Sequence, residues 1–246
     1  MRVRKRWVGS VVIGVVVLVF STVILMLVGT RESEKAHVLS EPLVVSGNAK
    51  AASPIEDYRQ ARYLDAIRGL TYESGFVELD TNAQEVLGEG HAGEDVDALL
   101  ERGAEQLEHN MVIEALETYT LAALVDPTAA SAYEGLGRAF VTKGKTENAI
   151  ASFRTTLRVD PILTEARYRL GAAYWMQGDF QEAVDTWQEV VDLDSNHART
   201  HERLAIALYY MSDYQGSWQH VHAAEALGYE VPPQFRPLLE AQMAEP

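Results

Sequence analysis

An all-α fold of stacked helical hairpins is what this sequence predicts, and three observations carry the prediction. First, residue types recur at a spacing of thirty-four: Gly103, Gly137 and Gly171; Ala115, Ala149 and Ala183; Tyr119, Phe153 and Trp187. A looser fourth copy has Ala205, Ser217 and Val221 at those places. Second, polar reversals divide each interval, at His109-Asn110, Lys143-Gly144-Lys145, Gln177-Gly178-Asp179 and Ser212-Asp213. Glycine or asparagine there supports a tight turn between two helices. Third, Asp126-Pro127 and Asp160-Pro161 close two of the intervals, and proline stops one helix and starts the turn to the next.

Each interval thus reads as a helix–turn–helix unit: 96–129, 130–163, 164–197 and 198–231. The helices within them are expected at 96–109 with 112–125, 130–143 with 146–159, 164–177 with 180–193, and 198–211 with 214–227. Glycine or alanine where two helices cross lets the backbones approach, and the aromatic fills the space beside the crossing. A single hairpin cannot bury its apolar face alone, so stability must come from stacking. A large residue at Gly171 or Ala183 would overpack the crossing at a cost of about 1–3 kcal/mol.

The small–small–aromatic–proline pattern, with Leu170-Gly171-Ala172-Ala173-Tyr174 and Leu136-Gly137 followed by Phe140, resembles the tetratricopeptide repeat family. The resemblance implies a right-handed superhelix of about four such units, closed by a C-terminal capping helix. It also implies that the first helix of each unit lines a groove for a protein or peptide. The positions that would face it carry Glu134 and Arg138 in the second unit. In the third they carry Tyr168, Arg169, Trp175 and Met176, and in the fourth Arg199, Arg203, Tyr209 and Tyr210. Tyrosine, tryptophan, methionine and arginine are the types enriched in interface cores. Guanidinium groups beside aromatics suit an extended peptide or a helix bearing a carboxylate. One subfamily holds the acidic C-terminus of cytosolic chaperones in a carboxylate clamp. Arg199 and Arg203 match its last basic pair, but Arg169 replaces an asparagine, and Glu134 and Arg138 replace a lysine and an asparagine. That clamp is incomplete here.

Residues 1–30 read as a basic cytoplasmic stub and a signal anchor. Arg2, Arg4, Lys5 and Arg6 precede an uncharged run at 7–28, rich in valine, isoleucine and leucine. As a helix, roughly 22 residues reach about 33 Å, enough to cross a hydrocarbon core. The basic edge places the N-terminus in the cytoplasm and the repeats on the periplasmic, extracytoplasmic side of the plasma membrane. A cleaved signal would have a shorter apolar core and a better cleavage site than Leu27-Val28-Gly29-Thr30. Residues 31–95 read as a linker with a short helix at 55–69 ended by Gly69, an extended stretch at 70–80, a turn at 84–87 and a glycine-rich joint at 88–93. Residues 232–246, opened by Pro232-Pro233, read as a capping helix and tail. There Phe235, Leu238 and Leu239 cover the end of the array, while Arg236, Glu240 and Gln242 face water.

The net charge of −15 is uneven, because the four basic residues of the first thirty leave −19 on the remainder. Such a surface argues against nucleic acid as a partner. With no cysteine in the chain, disulfides and thiolate chemistry are excluded. No nucleophile elbow, phosphate loop, dinucleotide fingerprint or metalloprotease helix is present, so no cofactor is expected and the protein reads as no enzyme. His197 and His201 have the spacing of a ligand pair but fall at a unit boundary, which reads as a surface loop without a metal. His220 and His222 would point to different sides of a helix. Two rival readings accompany the scaffold: a tether that self-associates through Ser10 and Gly14, making a homo-oligomer, and a metal-binding or enzymatic protein using 54–95.

Overall fold

A computed structural model describes residues 54–72, 74–84 and 93–246. The basic stub, the apolar run at 7–28, residues 31–53 of the linker, and all but the ends of the turn expected at 84–87 and the joint expected at 88–93 lie outside the described residues. Among the described residues no helix is long and apolar enough to cross a membrane.

The array consists of four helix pairs: α3 (Val96–Glu108) with α4 (Val112–Val125), α5 (Ala130–Lys143) with α6 (Thr146–Val159), α7 (Thr164–Gln177) with α8 (Phe180–Leu193), and α9 (Ala198–Tyr210) with α10 (Tyr214–Ala226). Two kinds of turn, each repeated in register, set this order. Within units, Asn110, Gly144, Gly178 and Ser212 all take positive φ, at 58°, 74°, 98° and 65°. The following amide reaches back to the preceding helix each time: Met111 to Gln106, Lys145 to Phe140, Asp179 to Tyr174 and Asp213 to Leu208, over 2.7–3.0 Å. This is the Schellman closure of a helix end. Between units, Asp126, Asp160 and Asp194 accept from the amides of Thr128, Ile162 and Asn196 at 2.8, 3.2 and 3.0 Å. The third of these turns forms around Ser195 with no proline, so the aspartate side chain, rather than the pyrrolidine ring, is the common element.

The helix crossings follow the small–aromatic pairing. A β-carbon added at Gly103 would lie 2.7 Å from the Tyr119 ring, at Gly137 2.5 Å from Phe153, and at Gly171 2.6 Å from Trp187. In all three units the ring presses on the glycine sixteen residues before it. In the fourth, Ala205 and Val221 hold these positions, both fully buried, and Ser217 donates to the Ala205 carbonyl at 2.7 Å. The second small position, Ala115, Ala149 or Ala183, is likewise fully buried.

The stretch before the array is more than a linker. It forms α1 (Pro54–Ala66), a two-stranded antiparallel hairpin of β1 (Leu70–Thr71) and β2 (Glu78–Leu79), and a single turn α2 (Thr81–Ala83). Gly69, at φ 90°, ends the helical run as the sequence suggests. The whole segment packs on the first two units: Tyr63, Ala66, Leu70 and Val77 share a core with residues of α3 to α7. Val77 donates its amide to the buried Thr155 hydroxyl at 2.8 Å, and Arg158 donates to the Val77 carbonyl at 3.4 Å. The Phe76 ring lies under the guanidinium groups of Arg154 and Arg158, 4.4 and 4.7 Å away. Outward positions of α6 therefore carry Ala151, Arg154, Thr155 and Arg158, whereas the same register of α8 has Asp185, Gln188, Glu189 and Asp192. An acidic α8 offers no seat for such a strap, which explains why it stops at the second unit.

At the other end, α11 (Phe235–Glu240) caps the fourth pair. Phe235 and Leu239 are buried against it, but Leu238 is 50% exposed, a correction to the expected three-residue cover. Pro237 sits in the first turn of this helix, where no backbone donor is lost. Arg236, expected to face water, instead bridges Glu225 and Glu245 at 2.7 and 2.8 Å and stacks over Trp218 at 5.3 Å. The tail returns to the array through Trp218, whose indole donates to the Met243 carbonyl at 3.1 Å.

Candidate functional site

The face formed by the first helices α7 and α9 brings together most of the residues the sequence singled out. Tyr168 is its centre and is only 5% exposed. Arg199 lies over its ring at 4.8 Å and His197 packs beside it at 5.3 Å. The hydroxyl of Tyr168 accepts from Arg199 Nη2 at 3.5 Å and from Arg203 Nε at 3.4 Å. Tyr168 is thus the support of two guanidinium groups rather than an exposed contact residue. Among the described residues no carboxylate lies within ion-pair distance of Arg199 or Arg203. Arg199 is exposed, in a chain whose net charge is −15.

Arg169 has a different fate. It forms ion pairs with Glu134 across units at 3.2 Å and with Glu165 one turn earlier at 2.7 Å. Its charge is largely neutralised, and the pair binds the second unit to the third. Arg138 lies apart, beside a shallow depression of about 160 Å³ between α3 and α5 that Leu100, Tyr119, Glu134 and Gly135 also line. The aromatics form a second group. Trp175 is half-buried, with its ring 4.7 Å from Phe180, 6.0 Å from Trp187 and 6.3 Å from Tyr210. Met176 beside it is 41% exposed. Tyr209 turns toward the C-terminal cap, with Phe235 at 5.6 Å and Tyr214 at 5.8 Å, and much of its surface is used there. Of the candidate residues, Arg199, Met176, Trp175 and Tyr210 keep surface on this face, and Arg203 keeps a smaller share.

One polar feature was not legible in the spacing. His201 is not a surface-loop residue: it is 6% exposed, inside α9. Its partner is His220 of α10, with the Nδ1 atoms 2.9 Å apart, and not His197. His197 bonds Thr200 at 2.7 Å instead. Burial, then the charge His201 can carry, push His220 down to about 4, against an opposing pull from Asp213. A nineteen-residue separation links the two helices of one unit, and helix periodicity along either helix alone gives no sign of it.

The larger cleft, about 370 Å³, lies elsewhere, between α1 and α4. Its ionic groups are already paired: Asp65 with Arg68 at 3.2 Å, and Glu117 with Arg62 at 3.0 Å. Nothing there resembles a positioned acid and base. Among the described residues no group of three histidine or carboxylate side chains is placed to hold a metal.

Stacked helical hairpins, with an exposed arginine and half-buried aromatics on the first-helix face, place the described array in the solenoid class. The tetratricopeptide repeat model matches residues 100–161 and 135–198, which lie in the first three units and reach the start of the fourth. Among solved structures, two of MamA cover 61% and 62% of this chain and 89% and 83% of their own, with TM-scores of 0.53 and 0.54 at 18% and 19% identity. A structure of YrrB, described as a TPR protein with an unusual peptide-binding site, covers 59% of this chain and 76% of its own, with a TM-score of 0.50 at 21% identity. These likenesses are of fold. No curated protein matches the chain in sequence.

Proposed function

We propose that this protein is a non-enzymatic scaffold that holds a protein partner at the outer face of a plasma membrane, in the assembly of a cell-envelope complex. The anchor is the apolar run at 7–28, and the basic residues before it keep the N-terminus in the cytoplasm. The binding surface is the first-helix face of the third and fourth units. One observation carries the reading: Arg199 is exposed with no carboxylate in ion-pair distance among the described residues, while Trp175 and Met176 keep apolar surface on the first helix of the preceding unit. A guanidinium stacked on a fixed tyrosine is pre-organised to receive a carboxylate, and adjoining aromatic surface supplies the apolar contact.

The test is partner capture on the full chain in detergent, comparing wild type with Arg199→Ala and Trp175→Ala. Arg199 is exposed, so its removal leaves the fold intact. Loss of the same partner in both variants, with unchanged circular dichroism, supports the reading, and an unchanged set of partners refutes it. A C-terminal reporter active on one side of the membrane tests the orientation separately.

A further inference from the structure

The inter-unit turns share a feature beyond their aspartates. The carbonyl that follows each aspartate is held by a side chain six residues later. Tyr133 donates to Pro127 at 3.1 Å, Arg167 donates to Pro161 at 2.8 Å, and His201 Nε2 meets the Ser195 carbonyl at 3.1 Å. Tyr133, Arg167 and His201 stand thirty-four apart, so they are one structural position filled by three chemistries. Only the joint between the third and fourth units uses an imidazole, whose two ring nitrogens can each carry a proton.

Its protonation states follow from the geometry. A carbonyl oxygen can only accept, so His201 Nε2 carries a proton. The Nδ1 of neutral His201 is then bare, and the Nδ1 of His220, 2.9 Å away, must supply the hydrogen between them. One added proton is tolerated, because a single N–H still lies between the two rings. A second added proton would set two N–H groups head to head, and the pair must separate. We propose that the His201–His220 pair is a proton-operated latch on the joint between the third and fourth units, closed when neutral or singly protonated and open when doubly protonated.

The surroundings of the pair are consistent with that assignment. From the N-terminus of α10, Asp213 favours the charged form of His220, while burial opposes it more strongly. His222, on the same helix, is engaged with Glu245 at 2.9 Å, and Glu245 also holds Arg236. On the side of the turn, His197 bonds Thr200 and lies 3.9 Å from Glu165. The turn that His201 secures, 194–197, also carries the His197 ring that packs on Tyr168. Opening the latch therefore loosens one wall of the arginine–tyrosine stack. The proposal concerns the joint and stands whether or not that stack binds a partner.

The test has two arms on the full chain. Nitrogen-15 imidazole spectra at pH 7 should show His201 protonated at Nε2 and His220 at Nδ1. A His220 protonated only at Nε2 would overturn the assignment. Hydrogen exchange, corrected for intrinsic rates, should then show segment 195–222 losing protection relative to 130–160 as pH falls from about 6.5 toward 4, by up to about tenfold per pH unit. His220→Gln keeps a donor toward His201 but cannot take the second proton, so it should abolish the difference. Equal protection of both segments at pH 4, or the same opening in His220→Gln, would refute the latch. If His220→Gln does not fold, His201→Tyr, which copies Tyr133 of the second unit, serves as the second non-titrating variant.

Discussion

Replacing Gly171 by alanine sets two effects of opposite sign against each other. In an exposed helix the change would stabilise by about 0.8–1.0 kcal/mol, because glycine loses more backbone entropy. Here the new β-carbon would lie 2.6 Å from both Cδ1 and Nε1 of Trp187, when contact distances are about 3.5–4.0 Å. The ring has to retreat by about 1 Å. It is buried and tied by its indole N–H to the Tyr168 carbonyl at 3.0 Å, so the retreat strains that bond as well. Overpacking costs about 1–3 kcal/mol and a weakened hydrogen bond about 0.5–1.5 kcal/mol. The net is a destabilisation of about 1–2 kcal/mol, or a melting temperature lower by about 2–8 °C for a domain of this size.

The fourth unit shows how to test the cause. It pairs alanine with valine, Ala205 with Val221, where the third pairs glycine with tryptophan. In a Trp187→Val background the obstruction is gone, so Gly171→Ala should stabilise by about 1 kcal/mol. Urea unfolding followed at 222 nm, on all four members of the cycle, measures a coupling of about 2–3 kcal/mol. If Gly171→Ala has the same effect in both backgrounds, the ring does not dictate glycine and the argument for the crossing fails.

Four further outcomes are expected. Ser212 takes φ 65° where other units use glycine or asparagine, so Ser212→Gly should raise stability by about 1 kcal/mol, read as a higher urea midpoint. Conversely Gly144→Ala, with nothing within 4 Å of the new β-carbon, should cost about the same through the backbone alone. Thr155→Val keeps the shape but strands the buried Val77 amide, for a loss of about 1–3 kcal/mol and faster proteolysis within 70–79. The pH dependence follows from His220, whose folded value near 4 lies below the ordinary 6.5. The unfolded chain binds the extra proton, so this contribution is complete above about pH 6.5 and is lost as pH falls toward 4, and His220→Gln should flatten the melting temperature over that window.

By itself the sequence determined the hairpin units and their order, because the contacts that make a unit lie within one interval. Gly137 meets Phe153 and Gly171 meets Trp187 at the same separation, so the thirty-four-residue period records the packing directly. The turns are equally local, and Asp126, Asp160 and Asp194 close them over two residues. Only the tertiary structure decided that residues 54–84 strap the first two units, since Val77 meets Thr155 across 78 positions with no periodicity to announce it. It also decided the share of each candidate groove residue. Arg169 and Arg199 are both arginines at first-helix positions expected to face the groove. One is paired with Glu134 across units as well as with Glu165, while the other has no carboxylate in ion-pair distance among the described residues, because pairing across units depends on distances between helices that no spacing along one helix contains.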